Sequence, residues 1–107
     1  MVPTVKLYLV GGYLRDDSPR KDIDIIGVLS KREFELTFGY THQTLQEAYR
    51  DEVKTPRFKE YLMANRVTGW LLSQWMDKRV DFKWNPPTML YNPHALLHLE
   101  ADVTMYL

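Results

Sequence analysis

The fold is decided by residues 9–26, which read LVGGYLRDDSPRKDIDII. Apolar and polar residues alternate over residues 4–10, which predicts a first strand. The diglycine Gly11-Gly12 ends that strand in a tight turn. Residues 22–29 are rich in isoleucine and valine, and we predict that they form a second, mostly buried strand. The stretch therefore predicts two strands joined by a polar segment that begins with glycines.

The second strand begins with two carboxylates, Asp22 and Asp24, one residue apart. Side chains two apart in a strand point to the same face, so both carboxylates project together. Paired carboxylates suit Mg²⁺, which prefers oxygen ligands and keeps positions open for phosphate. Glycines let backbone N–H groups approach phosphate oxygens, where a Cβ would clash. Together, Gly11, Gly12 and the two aspartates indicate a nucleotide-binding metal site.

Helix signals dominate the middle of the chain. Ser30 with Glu33 has the form of a capping box and predicts a short helix before Gly39, although residues 34–40 also alternate as a strand would. Thr44 with Glu47 repeats the signature and predicts a second helical segment to about residue 52. Thr55-Pro56 predicts the start of the longest helix, over residues 56–78.

The last part of the chain predicts a third strand, a short helix and a final alternating segment. Residues 80–84 have strand character and are closed by Asn85-Pro86-Pro87. A short helix is predicted from Asn92, and residues 103–107 alternate again. We predict an α/β (α+β) fold, a small mixed sheet packed by helices, in a single domain over residues 1–107.

Composition excludes several classes of protein. The chain has 107 residues, no cysteine and zero net charge, which excludes a disulfide scaffold, a cysteine-ligated zinc and an iron–sulfur cluster. Its apolar runs are too short to span a membrane, so we expect a cytoplasmic protein. Zero net charge argues against nonspecific coating of nucleic acid. Residues 50–83 nevertheless hold eight basic and five acidic side chains, the cationic part of the chain.

The glycine turn followed by Asp-x-Asp resembles the DNA polymerase β-like nucleotidyltransferase superfamily. The stretch from Gly11 to Asp16 also looks like the Gly-Gly-x-x-Arg-Asp opening of CCA-adding enzymes and bacterial poly(A) polymerases. The interval from Gly12 to Asp22 is shorter than in that branch and nearer the minimal nucleotidyltransferases. The resemblance covers residues 5–29 well and the rest of the chain only in outline.

The resemblance implies roles for particular residues. Gly11 and Gly12 would hold the triphosphate, with Arg15 and Lys21 neutralising phosphate charge. Asp22, Asp24 and a third carboxylate would bind the metal ions and act in catalysis. Asp81, on the strand after the longest helix, is the favoured third carboxylate, and Asp102 is its rival.

The implied activity is transfer of a nucleoside monophosphate from an NTP to a hydroxyl acceptor, an RNA end or a protein, with Mg²⁺ or Mn²⁺ as cofactor. Minimal members generally need an added helical module, so a helical partner subunit or a second copy of the chain is expected. The alternative is a nucleotidyltransferase-fold protein that has lost catalysis and binds a protein or nucleic-acid partner. That alternative would gain if Asp81 lay far from Asp22 and Asp24.

Three weaker patterns give other interpretations. Asp81-Phe82-Lys83 matches the Asp-x-Lys half of a restriction-type nuclease site, which needs another acidic residue on an adjoining strand. His94, His98 and Asp102 are four apart and could form a metal site on a helix, although unrelated surface residues are the favoured interpretation. Helical spacing favours a core position for Phe58, Trp70 and Trp75 of the longest helix, with base stacking as the alternative. Trp70, Trp75 and Trp84 could instead contact a partner.

Overall fold

The computed structural model describes residues 5–10, 22–90 and 94–97. In this part of the chain a four-stranded mixed sheet packs with three helices, which confirms the predicted fold class. The strands are β1 (Lys6–Val10), β2 (Ile23–Val28), β3 (Val80–Asn85) and β4 (His94–Leu97). The helices are α1 (Lys31–Phe38), α2 (His42–Arg50) and α3 (Pro56–Met76), and a 3₁₀ turn (Pro87–Met89) follows β3. No helix among these residues is long and apolar enough to cross a membrane.

The strands lie side by side in the order β3-β2-β1-β4. β1 is antiparallel to both β2 and β4, whereas β2 and β3 are parallel. The three helices lie between β2 and β3 in the chain and supply the long crossover that parallel neighbours need. The strands predicted over residues 4–10, 22–29 and 80–84 are therefore present, with ends that differ by one or two residues.

The two faces of the sheet are covered differently. The first face contributes to the main apolar core with Leu7, Ile23, Ile25, Val80, Phe82 and Trp84. The second face carries a smaller buried cluster of Val10, Ile26 and Val28. Gly27 leaves room for aromatic rings on the first face, because a Cβ there would lie 2.6 Å from ring atoms of Phe82 and Trp84. The alternation of β2 therefore separates an apolar face from a face that can carry polar residues.

Hydroxyl side chains cap the N-termini of α1 and α3. Ser30 Oγ accepts the Glu33 N–H at 3.1 Å, and α1 ends at Gly39 with a left-handed φ of 76°. The predicted N-cap at Ser30 thus begins a helix, and the alternative strand is absent. Thr55 Oγ1 accepts the Phe58 N–H at 3.2 Å and Pro56 is the first residue of α3, as predicted.

Two predicted helix starts are wrong. Thr41, not Thr44, is the N-cap of α2, because each of these threonines accepts the backbone N–H of the other with its hydroxyl. The helix predicted from Asn92 is absent over His94–Leu97, where the chain pairs with β1 as a strand. Pairing with a neighbouring strand supplies backbone hydrogen bonds that local sequence cannot reveal. Residues 103–107 lie outside the described residues.

Helix α3 satisfies the outer edge of β3. Alternate backbone groups of an edge strand point away from the sheet and need partners. The Trp84 N–H donates to Asn65 Oδ1 at 2.8 Å, and the Val80 N–H donates to Ser73 Oγ at 2.8 Å. The Tyr61 hydroxyl donates to the Trp84 carbonyl at 2.6 Å. Polar side chains spaced four and eight residues apart on α3 therefore hold β3 in place.

Gly69 lies between these polar side chains and permits a close approach. A Cβ at Gly69 would lie 3.2 Å from the Val80 carbonyl oxygen and 3.2 Å from Phe82 Cβ. A larger residue would push the helix away from β3 and lengthen the hydrogen bonds on either side. Glycine at this position costs the helix about 1 kcal/mol of propensity. The close packing of α3 against β3 explains why a glycine is present.

Replacing Asn65 by alanine tests this attachment. Asn65→Ala leaves the buried Trp84 N–H without its acceptor, so we expect the free energy of unfolding to fall by about 1–3 kcal/mol. Gln74→Ala, at an exposed position of the same helix, is the matched control and should change stability by less than about 0.5 kcal/mol. Urea unfolding of the two variants measures the difference, and equal effects would contradict a specific role for Asn65.

Candidate functional site

Two carboxylates lie directly opposite each other on the second face of the sheet. Asp24 of β2 and Asp81 of β3 are register partners in the parallel pairing. Neighbouring strands are about 4.8 Å apart, and opposed residues point to the same side of the sheet. Both carboxylates lie opposite the main core, because the residues beside them, Ile23 and Phe82 among them, point into it. The structure therefore brings together two of the three predicted metal ligands.

Asp22 lies just before β2 and contacts Arg79. Its Oδ2 is 3.5 Å from Nε of Arg79, and both side chains are well exposed to solvent. Arg79 also accepts the Ile23 N–H with its backbone carbonyl at 3.0 Å. Asp22 is thus close to the carboxylate pair but has a cationic partner of its own.

The environment of Asp24 disfavours its ionised form. Burial raises the pKa of Asp24, and the negative charges of Asp81 and Asp22 raise it further. The ammonium of Lys83, two residues beyond Asp81 on β3, opposes the increase in the pKa. The site thus holds more negative charge than its own cations neutralise, an arrangement frequent in functional sites.

The carboxylate pair fits a divalent cation that is shared with a ligand. Within the described residues no three His, Cys, Asp or Glu side chains are grouped closely enough to hold a metal ion by themselves. Mg²⁺, however, is usually bound through one or two carboxylates, with phosphate oxygens and waters as its other ligands. Asp24 and Asp81 meet that requirement, and Asp22 would join them only by leaving Arg79. A cation here would also relieve the repulsion that raises the pKa of Asp24.

Several predicted site residues lie outside the described part of the chain. These are the four assigned to the nucleotide, Gly11, Gly12, Arg15 and Lys21, together with His98 and Asp102. Val10, which directly precedes Gly11 in the sequence, is described and is the register partner of Asp24. The strand that enters the diglycine thus ends beside the carboxylate pair.

The proposed histidine cluster is not formed as a helical site. His94 belongs to β4, so the helical spacing that would bring it to the same face as His98 and Asp102 is absent at its first member. His94 is the register partner of Val10, which places it two strands, or about 10 Å, from Asp24 on the same face. Its ring packs edge-on against Tyr8, with 5.2 Å between ring centroids.

The aromatic residues of α3 are placed differently from the prediction. Phe58 is buried in the core, as expected, but Trp70 and Trp75 are 60% and 55% exposed. The core prediction for both tryptophans is therefore wrong, because the buried side of α3 is formed by other residues: Phe58, Tyr61, Asn65, Thr68, Gly69 and Leu72. Trp84 is fully buried and cannot contact a partner.

The sequence interpretation missed the electrostatic partners of the site. The pairing of Arg79 with Asp22 and the influence of Lys83 on Asp24 both depend on the register of β2 against β3. The alternation of Asp81 and Lys83 on one strand was visible in the sequence. The strand beside it could not be identified from local pattern.

Comparisons of the chain with protein-family models, with curated proteins and with solved structures found no match.

The raised pKa of Asp24 predicts a pH-dependent effect of Asp24→Asn on stability. Ionised Asp24 opposes folding above its folded-state pKa, and this cost is lost as the pH falls to its ordinary value of 3.8. Asp24→Asn should therefore be more stable than the wild type at neutral pH, with a difference that shrinks on acidification. Urea unfolding across this pH range measures the effect, and Glu52→Gln at an exposed position is the control. A difference that grows on acidification would contradict the sign of the shift.

Proposed function

We propose that the protein is a metal-dependent nucleotidyltransferase, which moves a nucleoside monophosphate from an NTP to a hydroxyl acceptor. The observation that carries the proposal is the register pairing of Asp24 with Asp81. Further support comes from Val10, which pairs with Asp24 and leads into Gly11-Gly12. The strand that precedes the diglycine in the sequence thus ends beside the carboxylate pair.

In the proposed reaction the acceptor oxygen bonds to the α-phosphorus, the bond from that phosphorus to its bridging oxygen breaks, and pyrophosphate leaves. Bound Mg²⁺ or Mn²⁺ would neutralise triphosphate charge and lower the pKa of the acceptor hydroxyl. Asp24 and Asp81 would hold the ion. Asp81 is the more exposed of the two, so it is the better placed to receive the acceptor proton. Lys83 supplies positive charge on the same face for a phosphate oxygen.

The alternative of a fold that has lost catalysis is less well supported. A large distance between Asp81 and the Asp22–Asp24 pair would have been the main support for this alternative. Asp81 is instead the direct partner of Asp24, and the resulting repulsion is costly for a purely structural site. The pair is thus better explained by a cation that binds between its members.

Neutralising either carboxylate tests the proposal. Asp24→Asn and Asp81→Asn should each lower nucleotidyl transfer on the order of 1,000-fold, because a catalytic metal contributes several kcal/mol. The assay follows radiolabel from each α-labelled NTP in the presence of Mg²⁺ or Mn²⁺. Thermal unfolding with ATP and Mg²⁺ should show stabilisation of the wild type and not of the two variants.

Glu52→Gln removes one exposed carboxylate elsewhere and should retain both activity and stabilisation. Transfer at the wild-type rate by Asp24→Asn, or stabilisation by ATP that does not require a divalent cation, would exclude the proposal.

A metal-dependent nuclease is the second candidate, favoured by one specific observation. The Asp81-x-Lys83 pattern needs an acidic residue on an adjoining strand, and Asp24 occupies that position. Lys83 lies close enough to influence the pKa of Asp24, as a lysine that activates water beside a metal ion would. The same three side chains could therefore serve hydrolysis of a phosphodiester.

Lys83→Ala separates the two candidates. If the site is a nuclease, labelled single- and double-stranded oligonucleotides are cut with Mg²⁺ in the absence of NTP, and Lys83→Ala lowers cutting by about 100-fold or more. If it is a transferase, the oligonucleotides are not cut under these conditions, and Lys83→Ala chiefly weakens NTP binding. Cutting that persists in Asp24→Asn would indicate a contaminating nuclease and exclude this second candidate.

A further inference from the structure

A cleft of about 310 Å³ lies between α3 and the outer edge of β3. On the helical side it is lined by Tyr49, Leu62 and Arg66, and on the strand side by Asp81 and Lys83. We call it the edge cleft. Its volume is at the lower end of the range for small-ligand sites and suits a group the size of one nucleotide.

The edge cleft opens between the attachments of α3 to β3. Asn65 and Gly69 line it, and Asn65 holds the Trp84 N–H while Ser73 holds the Val80 N–H further along. The cleft is therefore a consequence of how the helix is fixed to the strand, and its walls are regular secondary structure. Sites built on such elements keep their geometry better than sites on loops.

Charge in the edge cleft favours an anionic ligand. Arg66 and Lys83 provide two cations against the single carboxylate of Asp81, and Arg66 is exposed on α3. A cation bound by Asp81 and Asp24 would make the cleft still more positive. Guanidinium and ammonium groups in this arrangement suit phosphate oxygens.

Aromatic residues beside these cations favour a ligand with planar rings. Tyr49 lines the cleft and is 37% exposed, and its hydroxyl is 3.2 Å from that of Tyr61. Trp70 does not line the cleft but lies one turn beyond Arg66 on α3 and is 60% exposed. Cations with exposed rings near them are what single-stranded nucleic acids bind, with phosphates on the cations and bases on the rings. An acidic peptide would use the cations alone.

We propose that the edge cleft binds a single-stranded nucleic acid and presents its terminal nucleotide to Asp81. The role of that strand as the acceptor rests on the proposed nucleotidyl transfer, whereas its binding does not. Arg66 contacts its phosphates, Lys83 adds positive charge at the strand side of the cleft, and Tyr49 and Trp70 stack with its bases. Asp81 is common to the cleft and to the carboxylate pair, so a terminal hydroxyl in the cleft lies beside the metal site.

Charge reversal at two positions of α3 tests the proposal. Arg66→Glu should weaken binding of a labelled short oligouridylate by about tenfold or more, because it replaces a phosphate contact with repulsion. Arg57→Glu makes the same substitution at an exposed position nine residues away, on the opposite side of the helix, and should weaken binding by less than about twofold. Fluorescence anisotropy at low and at physiological salt measures both. Trp70→Leu, at an exposed position, should also weaken binding because one stacking ring is lost.

The outcomes separate this inference from the proposed function. Equal weakening by Arg66→Glu and Arg57→Glu, tighter binding of an acidic peptide than of the oligouridylate, or no binding at low salt would each overturn the inference. Stabilisation of the wild type by ATP and Mg²⁺, measured in parallel, reports on the nucleotidyltransferase proposal without depending on Arg66. Oligouridylate binding without ATP binding would retain the edge cleft and reject nucleotidyl transfer.

Discussion

The hydrogen bonds between α3 and the outer edge of β3 are the interaction on which the candidate site depends. They provide the Trp84 and Val80 N–H groups with Asn65 and Ser73 as acceptors, groups that would otherwise remain unpaired at a sheet edge. Gly69 lets the helix come close enough to make them. With its edge covered, β3 is held as a parallel neighbour of β2. The position of Asp81 follows from that placement.

Register then determines the chemistry. A slip of one residue between β2 and β3 would turn Asp81 toward the core and Phe82 toward solvent, at a cost in buried apolar area. The contact of the Phe82 and Trp84 rings at Gly27 also holds the register. The apolar face therefore fixes the carboxylates opposite each other, although their repulsion raises the pKa of Asp24. Packing on one face maintains a strained charge pair on the other, as expected where a charged ligand binds.

Sequence patterns correctly predicted the elements that are stabilised by residues close together in the chain. The caps at Ser30 and Thr55 depend on residues three apart, and the β-branched run of β2 needs no knowledge of its neighbours. The exposure of Trp70 and the strand at His94–Leu97 depend on distant partners. Hydrophobic spacing failed for part of α3 because polar Asn65 and Thr68 are buried there beside core residues, whereas Trp70 and Trp75 are exposed. Asp81 could be suggested as a third carboxylate from chain order, but only the parallel register places it opposite Asp24.

The charges that sum to zero over the chain are unevenly distributed in the fold. A neutral chain does not attract nucleic acid through its overall field, so any affinity for phosphate must come from local arrangements. The second face of the sheet holds uncompensated carboxylates at Asp24 and Asp81, and the edge cleft holds Arg66 and Lys83 next to them. A divalent cation on the carboxylates would join these regions into one surface attractive to phosphate. Binding of the metal would thus control the affinity of the whole site for phosphate-bearing ligands, because without it Asp81 repels the phosphates that Arg66 and Lys83 attract.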